Sequence, residues 1–414
     1  MIFYNKLKEY ICFSNAYIVT IINLSEVTVI KNKLTKTLLL TLCFCLIFPF
    51  SQVHAEESNE QPTLNLDCQS AILMEASTGA ILYEQNADAA LPPASVTKIM
   101  TLLLVMEAID SGTINMSDTL QASEYAASMG GSQVFIEPGE TMTVEDLLKS
   151  VVISSANDAA VVFAENIAGS VEGFVDKMNA RAKELNMMNT VFENPTGLDD
   201  NTVKHVTSAR DIAIMSRELL KHKTILNYTN IWMDTIRNGA FGLTNTNRLI
   251  RFYKGATGLK TGSTSKAKFC ISATAERDGM HLIAVIMASP TRDIRNECAK
   301  KLLDYGFANY SIANFEEGSA GNVKVIGGVK NNVTTYYPSL SLLTGKGLNK
   351  QIETIINLPE SIPAPISAGS KIGEITYMLN GTVIGKVDIT AGESINRISY
   401  IGIIGRIFKK YLII

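Results

Sequence analysis

The chain has 414 residues, 46% of them hydrophobic, which is enough to bury a large core and long enough for two domains rather than one. Its formal net charge is −3 and it carries no basic block, which excludes a nucleic-acid partner, since phosphate binding needs clustered Lys and Arg. With four His in all and no His-x-x-x-His or Cys-x-x-Cys spacing, no metal site and no cofactor are expected.

In chain order, Lys31, Lys33 and Lys36 precede the apolar run TLLLTLCFCLIF, and Val53-His54-Ala55 is a small-residue cleavage site, so residues 1–55 read as an export signal. The run is too short for a comfortable membrane span. Residues 1–30 sit ahead of the basic segment, which reads as a start assigned too far upstream, with initiation near residues 24–30. Removing residues 1–55 takes away five Lys and two Glu, bringing the formal charge to −6. Cys68, Cys270 and Cys298 remain, an odd set that indicates no disulfide framework and allows at most one pair.

SAILMEASTGAILYEQN (70–86) reads as two strands around a Ser-Thr-Gly turn. From Ser95 to Asp110 the chain is apolar almost all round, which predicts a core helix starting at Ser95 and ended by Ser111-Gly112. Three more helices are signalled: Thr143 with Asp146 caps one, ANDAAVVFAENIAG continues after a break, and Ser208 with Asp211 caps a third. GLKTGST is strand-like, KFCISATAER and GMHLIAVIMAS pair around Asp278-Gly279, and an amphipathic helix follows from Arg292. A helical block between an early and a late hairpin predicts an α+β domain with an antiparallel sheet. Beyond about residue 315 the pattern becomes short alternating strands, with a hairpin around Asn380-Gly381. This predicts a small β-rich domain over 316–394, following a first domain over 62–312. In the segment 398–414 an apolar face bearing aromatics lies opposite Arg406, Lys409 and Lys410, which predicts an amphipathic helix lying in the plane of an anionic membrane surface. The alternative is a helix packed on its own β domain.

The stretch that carries chemistry is LPPASVTKIM (91–100), where Ser95 and Lys98 are three apart. Alone the spacing is weak: Ser263 and Lys266 share it with no apolar helix behind them, and a Ser before an apolar run is a common helix N-cap. A Ser-His-Asp hydrolase would leave His205 or His281 as base, but the chain lacks a Gly-x-Ser-x-Gly elbow. Lysine can serve instead when burial and neighbouring positive charge lower its pKa, and Lys98 on a core helix is so placed. Ser155-Ala156-Asn157 falls at the break between two helices and Lys260-Thr261-Gly262 on a strand, whereas Ser394-Ile395-Asn396 in the tail is background. The order Ser-x-x-Lys, Ser-x-Asn, Lys-Thr-Gly is what makes coincidence a poor explanation.

With LPPASVTKIMT, ISSANDAA, FENPTGLDD, HVTSARDIA and YKGATGLKTGST, the chain over about residues 65–310 resembles the low-molecular-mass penicillin-binding proteins, specifically the D-alanyl-D-alanine carboxypeptidases. The resemblance implies a β-lactamase/transpeptidase-like domain followed by the family's C-terminal β domain. It implies a bacterial enzyme, exported and held at the outer face of the cytoplasmic membrane. Its substrate would be a peptidoglycan stem peptide ending in D-Ala-D-Ala, and β-lactams would be covalent inhibitors. It makes Ser95 the acylated nucleophile, Lys98 its base and Ser155 a proton relay to the leaving D-alanine. Asn157 would hold the substrate amide and Lys98, Lys260 would supply positive potential, and Thr261 would bind the terminal carboxylate. Gly262 belongs to the same binding strand, and the N–H groups of Ser95 and Ser263 would form the oxyanion hole. Arg295 matches an arginine that meets the carboxylate, with Arg292 close by. Two positions depart: Thr196 stands where His is common, and Lys268 where Gly usually follows Lys-Ala. A D,D-endopeptidase would use the same residues. A class A β-lactamase would need a Glu-x-x-Leu-Asn between the second and third motifs, which is absent, and a non-catalytic penicillin-binding module has no need of the intact motifs.

Overall fold

In the computed structural model, which describes residues 64–200 and 202–412, the early and late hairpins meet in one sheet. The expected signal segment lies outside the described residues. Strands β1 (Ser70–Glu75), β2 (Ile81–Gln85), β3 (Ala256–Thr264), β4 (Lys268–Arg277) and β5 (Met280–Ser289) lie in the order β2-β1-β5-β4-β3 with every neighbouring pair antiparallel. Side chains alternate across a strand, and β5 shows why its sequence is apolar without interruption. Its Ile283, Val285 and Met287 join a core on one face of the sheet, and its Leu282, Ala284 and Ile286 join another on the opposite face.

The longer helices of this domain are α1 (Lys98–Asp110), α2 (Val144–Ile153), α3 (Asn157–Ala168), α4 (Val171–Glu184), α5 (Ala209–Leu219) and α6 (Arg292–Asn309). Most of α1 is buried inside the first core, as its lack of a polar face requires, whereas α6 packs Cys298, Leu302 and Leu303 into the second. The expected caps form: Thr143 Oγ1 accepts from Asp146 N at 3.1 Å, and Ser208 Oγ accepts from Asp211 N at 3.1 Å. Helix α4 was not anticipated. Ser170 caps it by accepting from Gly173 N, and it buries Phe174, Met178 and Ala182 at intervals of four.

One boundary differs from expectation. The helix does not begin at Ser95; a 3₁₀ turn over Ala94–Thr97 precedes α1, and the Ser95 hydroxyl caps nothing. Ala94 takes a left-handed φ of +50°, which tightens the chain there.

The chain after α6 folds into a six-stranded sheet built from 318–326, 332–337, 353–357, 361–363, 371–379 and 382–391, in which 361–363 runs parallel to its neighbour. Its hairpin turns at Asn380-Gly381 with φ of +51° and +77°, the two positive values that a two-residue turn demands. Helix α7 (Tyr400–Leu412) follows. Its apolar residues face solvent, with Tyr400 at 88% and Ile401 at 83% exposure, so it is not packed face-down on the β domain. The contact runs through the polar side: Arg406 donates to Val329 O at 2.6 Å and Asn331 Oδ1 at 3.0 Å. Among the described residues no helix is long and apolar enough to cross a membrane.

Lys268, one of the two departures, is exposed and opens β4 directly after the turn from β3, with φ of +55°. That backbone conformation accounts for glycine at this place. A non-glycine residue there costs about 1 kcal/mol, so Lys268→Gly is expected to raise Tm by roughly 2–4 °C in a thermal melt.

Candidate active site

The cleft opens where the edge strand β3 meets the turn before α1. A 3₁₀ turn has three residues per turn, so side chains three apart eclipse, and Lys98 Nζ accordingly lies 3.0 Å from Ser95 Oγ. The turn is clamped from two sides by glycines. A Cβ on Gly262 would lie 2.8 Å from Ser95 N and 2.9 Å from Pro93 O, and one on Gly197 would lie 1.8 Å from Ala94 O. Strand β3 can therefore approach the Ser95 turn only because residue 262 has no side chain.

Lys98 is fully buried and its amine also donates to Asn157 Oδ1 at 2.5 Å and Thr196 O at 2.8 Å. Asn157 begins α3, and its amide nitrogen donates to Gly130 O at 2.6 Å, which fixes which end of the amide faces the lysine. Ser155, between α2 and α3, adopts φ of +63° and accepts from Lys260 Nζ at 2.8 Å. Lys260 also donates to the carbonyl of Thr261 at 3.0 Å, and Thr261 Oγ1 donates to Thr246 Oγ1 at 2.8 Å.

Ser95, Ser155, Thr261, Gly262, Ser263 and Arg295 line one cavity of about 210 Å³ together with Ser132, Thr246 and Arg292. Sequence reasoning missed Ser132 and Thr246. Thr246 lies in an unpatterned Asn-Thr-Asn stretch, and Ser132 in a Gly-rich loop, so neither carries a local signal. Arg295 is 2% exposed and partly committed, donating to Asn296 Oδ1 at 2.9 Å and Cys270 O at 3.3 Å, while Arg292 is exposed at the same cavity.

Two buried ammonium groups cannot both stay charged cheaply. Burial first, and the neighbouring Lys260 second, hold Lys98 well below the ordinary lysine range, with Asp158 pulling the other way. Burial and then Arg295 bring Lys260 down to about 7. An amine close to a hydroxyl and depressed in this way can take its proton at neutral pH.

The other candidates lie elsewhere. His205 accepts from Glu193 N at 3.0 Å and holds Thr97 Oγ1 at 2.8 Å, and burial pushes it down to about 4, so it braces the Ala94–Thr97 turn as a neutral ring. His281 meets Thr257 Oγ1 at the far end of β3. Lys266 donates to Asp199 O at 2.6 Å, outside the cavity that Ser263 lines, and Ser394 accepts from Ala368 N in the β domain. The departure at Thr196 falls within the site, yet the atom it presents to Lys98 is the backbone carbonyl, which any residue supplies.

An α+β domain with a serine, a buried lysine, a second serine and a lysine-bearing strand edge around one cleft is arranged for acyl transfer to serine. The sequence profile of the D-alanyl-D-alanine carboxypeptidase family matches residues 55–291, and that of the penicillin-binding protein 5 C-terminal domain matches residues 311–397. The D-alanyl-D-alanine carboxypeptidase DacF of Bacillus subtilis is 42% identical over 91% of this chain and 97% of its own length. The crystal structure of penicillin-binding protein 5 from Haemophilus influenzae superposes with a TM-score of 0.70 at 30% identity, covering 80% of this chain and 98% of that one. Penicillin-binding protein D2 from Listeria monocytogenes, in its ampicillin-bound form, superposes with a TM-score of 0.55 at 33% identity, over 59% of this chain and all of that one. The chain belongs to the D-alanyl-D-alanine carboxypeptidase family and is a hydrolase of that family.

The glycine contact supplies a test. Gly262→Ala is expected to push β3 off the Ser95 turn and slow acylation by roughly a hundredfold, read as the rate of covalent penicillin labelling, with the circular-dichroism spectrum retained.

Proposed function

We propose that the protein removes the terminal D-alanine from peptidoglycan stem pentapeptides through an acyl-enzyme on Ser95, and that penicillin acylates the same hydroxyl. The observation that carries this reading is the Lys98 amine, buried, depressed and 3.0 Å from Ser95 Oγ. In the proposed cycle, the Ser95 hydroxyl proton passes to Lys98 as Oγ bonds to the carbonyl carbon of the penultimate D-alanine. The developing oxyanion is held by the N–H groups of Ser95 and Ser263. The C–N bond then breaks, and Ser155 relays a proton to the leaving amine. Lys98, its proton passed on through Ser155, takes a proton from water as that water attacks the ester carbonyl, and gives it to Ser95 Oγ as the ester C–O bond breaks and the shortened peptide leaves. Asn157 orients Lys98 and the peptide amide, Lys260 supplies positive potential beside Ser155, and Thr261 with Arg295 receives the terminal carboxylate. Gly262 lets the binding strand reach the nucleophile.

The same proposal includes the organisation of the chain: an export signal over 1–55, a catalytic domain over 62–312, a β domain over 316–394 and a membrane-surface helix over 398–414. The helix reading is supported by its outward apolar face and by Lys409 and Lys410 in its last turn. It implies an exported enzyme, peripheral on the outer face of the bacterial cytoplasmic membrane.

Ser95→Ala is expected to abolish both D-alanine release and penicillin labelling, and Lys98→Ala to remove acylation while leaving the fold, because neither His205 nor His281 reaches the hydroxyl. Full labelling of either variant would refute these roles. Comparing D-alanine release from a pentapeptide with cleavage of a cross-linked dimer separates carboxypeptidase from endopeptidase.

Deletion of residues 398–414 is expected to leave an active enzyme that stays in the supernatant with anionic vesicles, while the chain that retains them sediments. Equal partitioning of the two would refute the anchor.

A further inference from the structure

Behind the lysine and the asparagine lies a carboxylate that the proposed cycle does not use. Asp158, the second residue of α3, is completely buried. Its oxygens accept from Val134 N at 3.0 Å, Ile136 N at 3.2 Å and Ala159 N at 2.9 Å. The two longer-range bonds reach the segment 130–136, and that segment returns to the site at three points. Asn157 N donates to Ser132 O at 2.7 Å, Asn157 Nδ2 donates to Gly130 O at 2.6 Å, and Ser132 lines the cavity. From its other side the segment is gripped by Arg237, which donates to Val134 O at 2.8 Å and Phe135 O at 3.2 Å and is itself held by Glu140 at 2.7 Å.

We propose that Asp158 is a positioning residue of the acylation step: it fixes the 130–136 wall against the start of α3, so that Asn157 is locked on the Lys98 amine, and it places a buried negative charge near that amine. The inference rests on the reading of Lys98 as base.

A neutral amide could accept some of the same bonds, but two observations favour the charge. Both carboxylate oxygens accept backbone N–H groups, whereas an amide would turn its own NH₂ donor toward one of them. The groups around Lys98 are also unbalanced. Lys260 faces it from β3 with Arg295 of α6 beyond, Asn157 and Thr196 present neutral oxygens, His205 beneath Thr97 is neutral, and Asp158 opposes the cations from α3. Removing this charge makes Lys98 easier to deprotonate, while loosening the wall frees the asparagine that aims it. The two consequences differ in sign and in readout.

The test is the rate of acylation by a fluorescent penicillin, followed against pH for the native enzyme, Asp158→Asn and Arg237→Gln. Native acylation that rises with pH upholds the Lys98 reading itself, and its absence would fail that reading rather than this one. For Asp158→Asn the plateau is expected to fall by roughly ten- to a hundredfold from misplacement, and the midpoint of the rising limb to move to lower pH by roughly one unit. Arg237→Gln releases the wall without touching the charge beside Lys98, so its plateau should fall with the midpoint in place. A native plateau in either variant, or an unmoved midpoint in Asp158→Asn, overturns the proposal. Should Asp158→Asn not fold, Asp158→Glu takes its place: it keeps the charge but displaces the oxygens from Val134 N and Ile136 N, so its plateau should fall with the midpoint in place, and a native plateau overturns the proposal.

Discussion

Two lysines, Lys98 and Lys260, are buried side by side behind one cleft, and the elements around it are arranged to accommodate them. An isolated ammonium group inside a protein is costly, and two that feel each other cost more. The surrounding architecture is what makes this state tenable: Asn157, the carbonyls of Thr196 and Thr261, and the hydroxyls of Ser95 and Ser155 give each amine oxygen partners in place of water. Those partners come from the turn before α1, the α2–α3 break, the loop at 194–198 and the edge strand β3. The long-range packing of the domain therefore acts on one small volume.

Local strain gathers in the same place. Ala94 and Ser155 both hold left-handed backbone conformations, and Gly197 and Gly262 permit approaches that a methyl group would forbid. Such geometry persists only if the elements around it over-determine it. Here a core helix with almost no exposed face and a sheet buried on both sides hold that geometry, so the cleft is seated on closely packed elements.

Much of this was legible in the residues. The apolar run after Lys98 forced a buried helix, the Asp278-Gly279 and Asn380-Gly381 turns declared their hairpins, and three ordered motifs pointed to one cleft. The limits were equally physical. Helix α4 escaped because only Phe174, Met178 and Ala182 of its length are buried, leaving a weak stripe in a polar sequence. The start of α1 shifted because periodicity cannot distinguish a 3₁₀ turn from a first α-helical turn. Thr246 and Ser132 stand in stretches without pattern, and Asp158 carries no local signal, since nothing in sequence says which backbone groups a carboxylate will meet. The histidines that a serine hydrolase would invite as bases proved to be a brace and a distant strand contact.

The carbonyl of Thr196 separates what must stay fixed from what is free to vary. Its oxygen grips Lys98, while the side chain of the same residue folds back on Asn194 and borders a neighbouring cavity of about 250 Å³ with Pro195, Leu198 and Asp200. Because the obligation falls on the main chain, a substitution at this position keeps the oxygen that meets Lys98 and acts instead on the loop's own bonds to Asn194 and Leu198 and on the walls of the adjoining hollow. The grip on the amine and the shape of the hollow beside it are therefore set by different atoms of one residue.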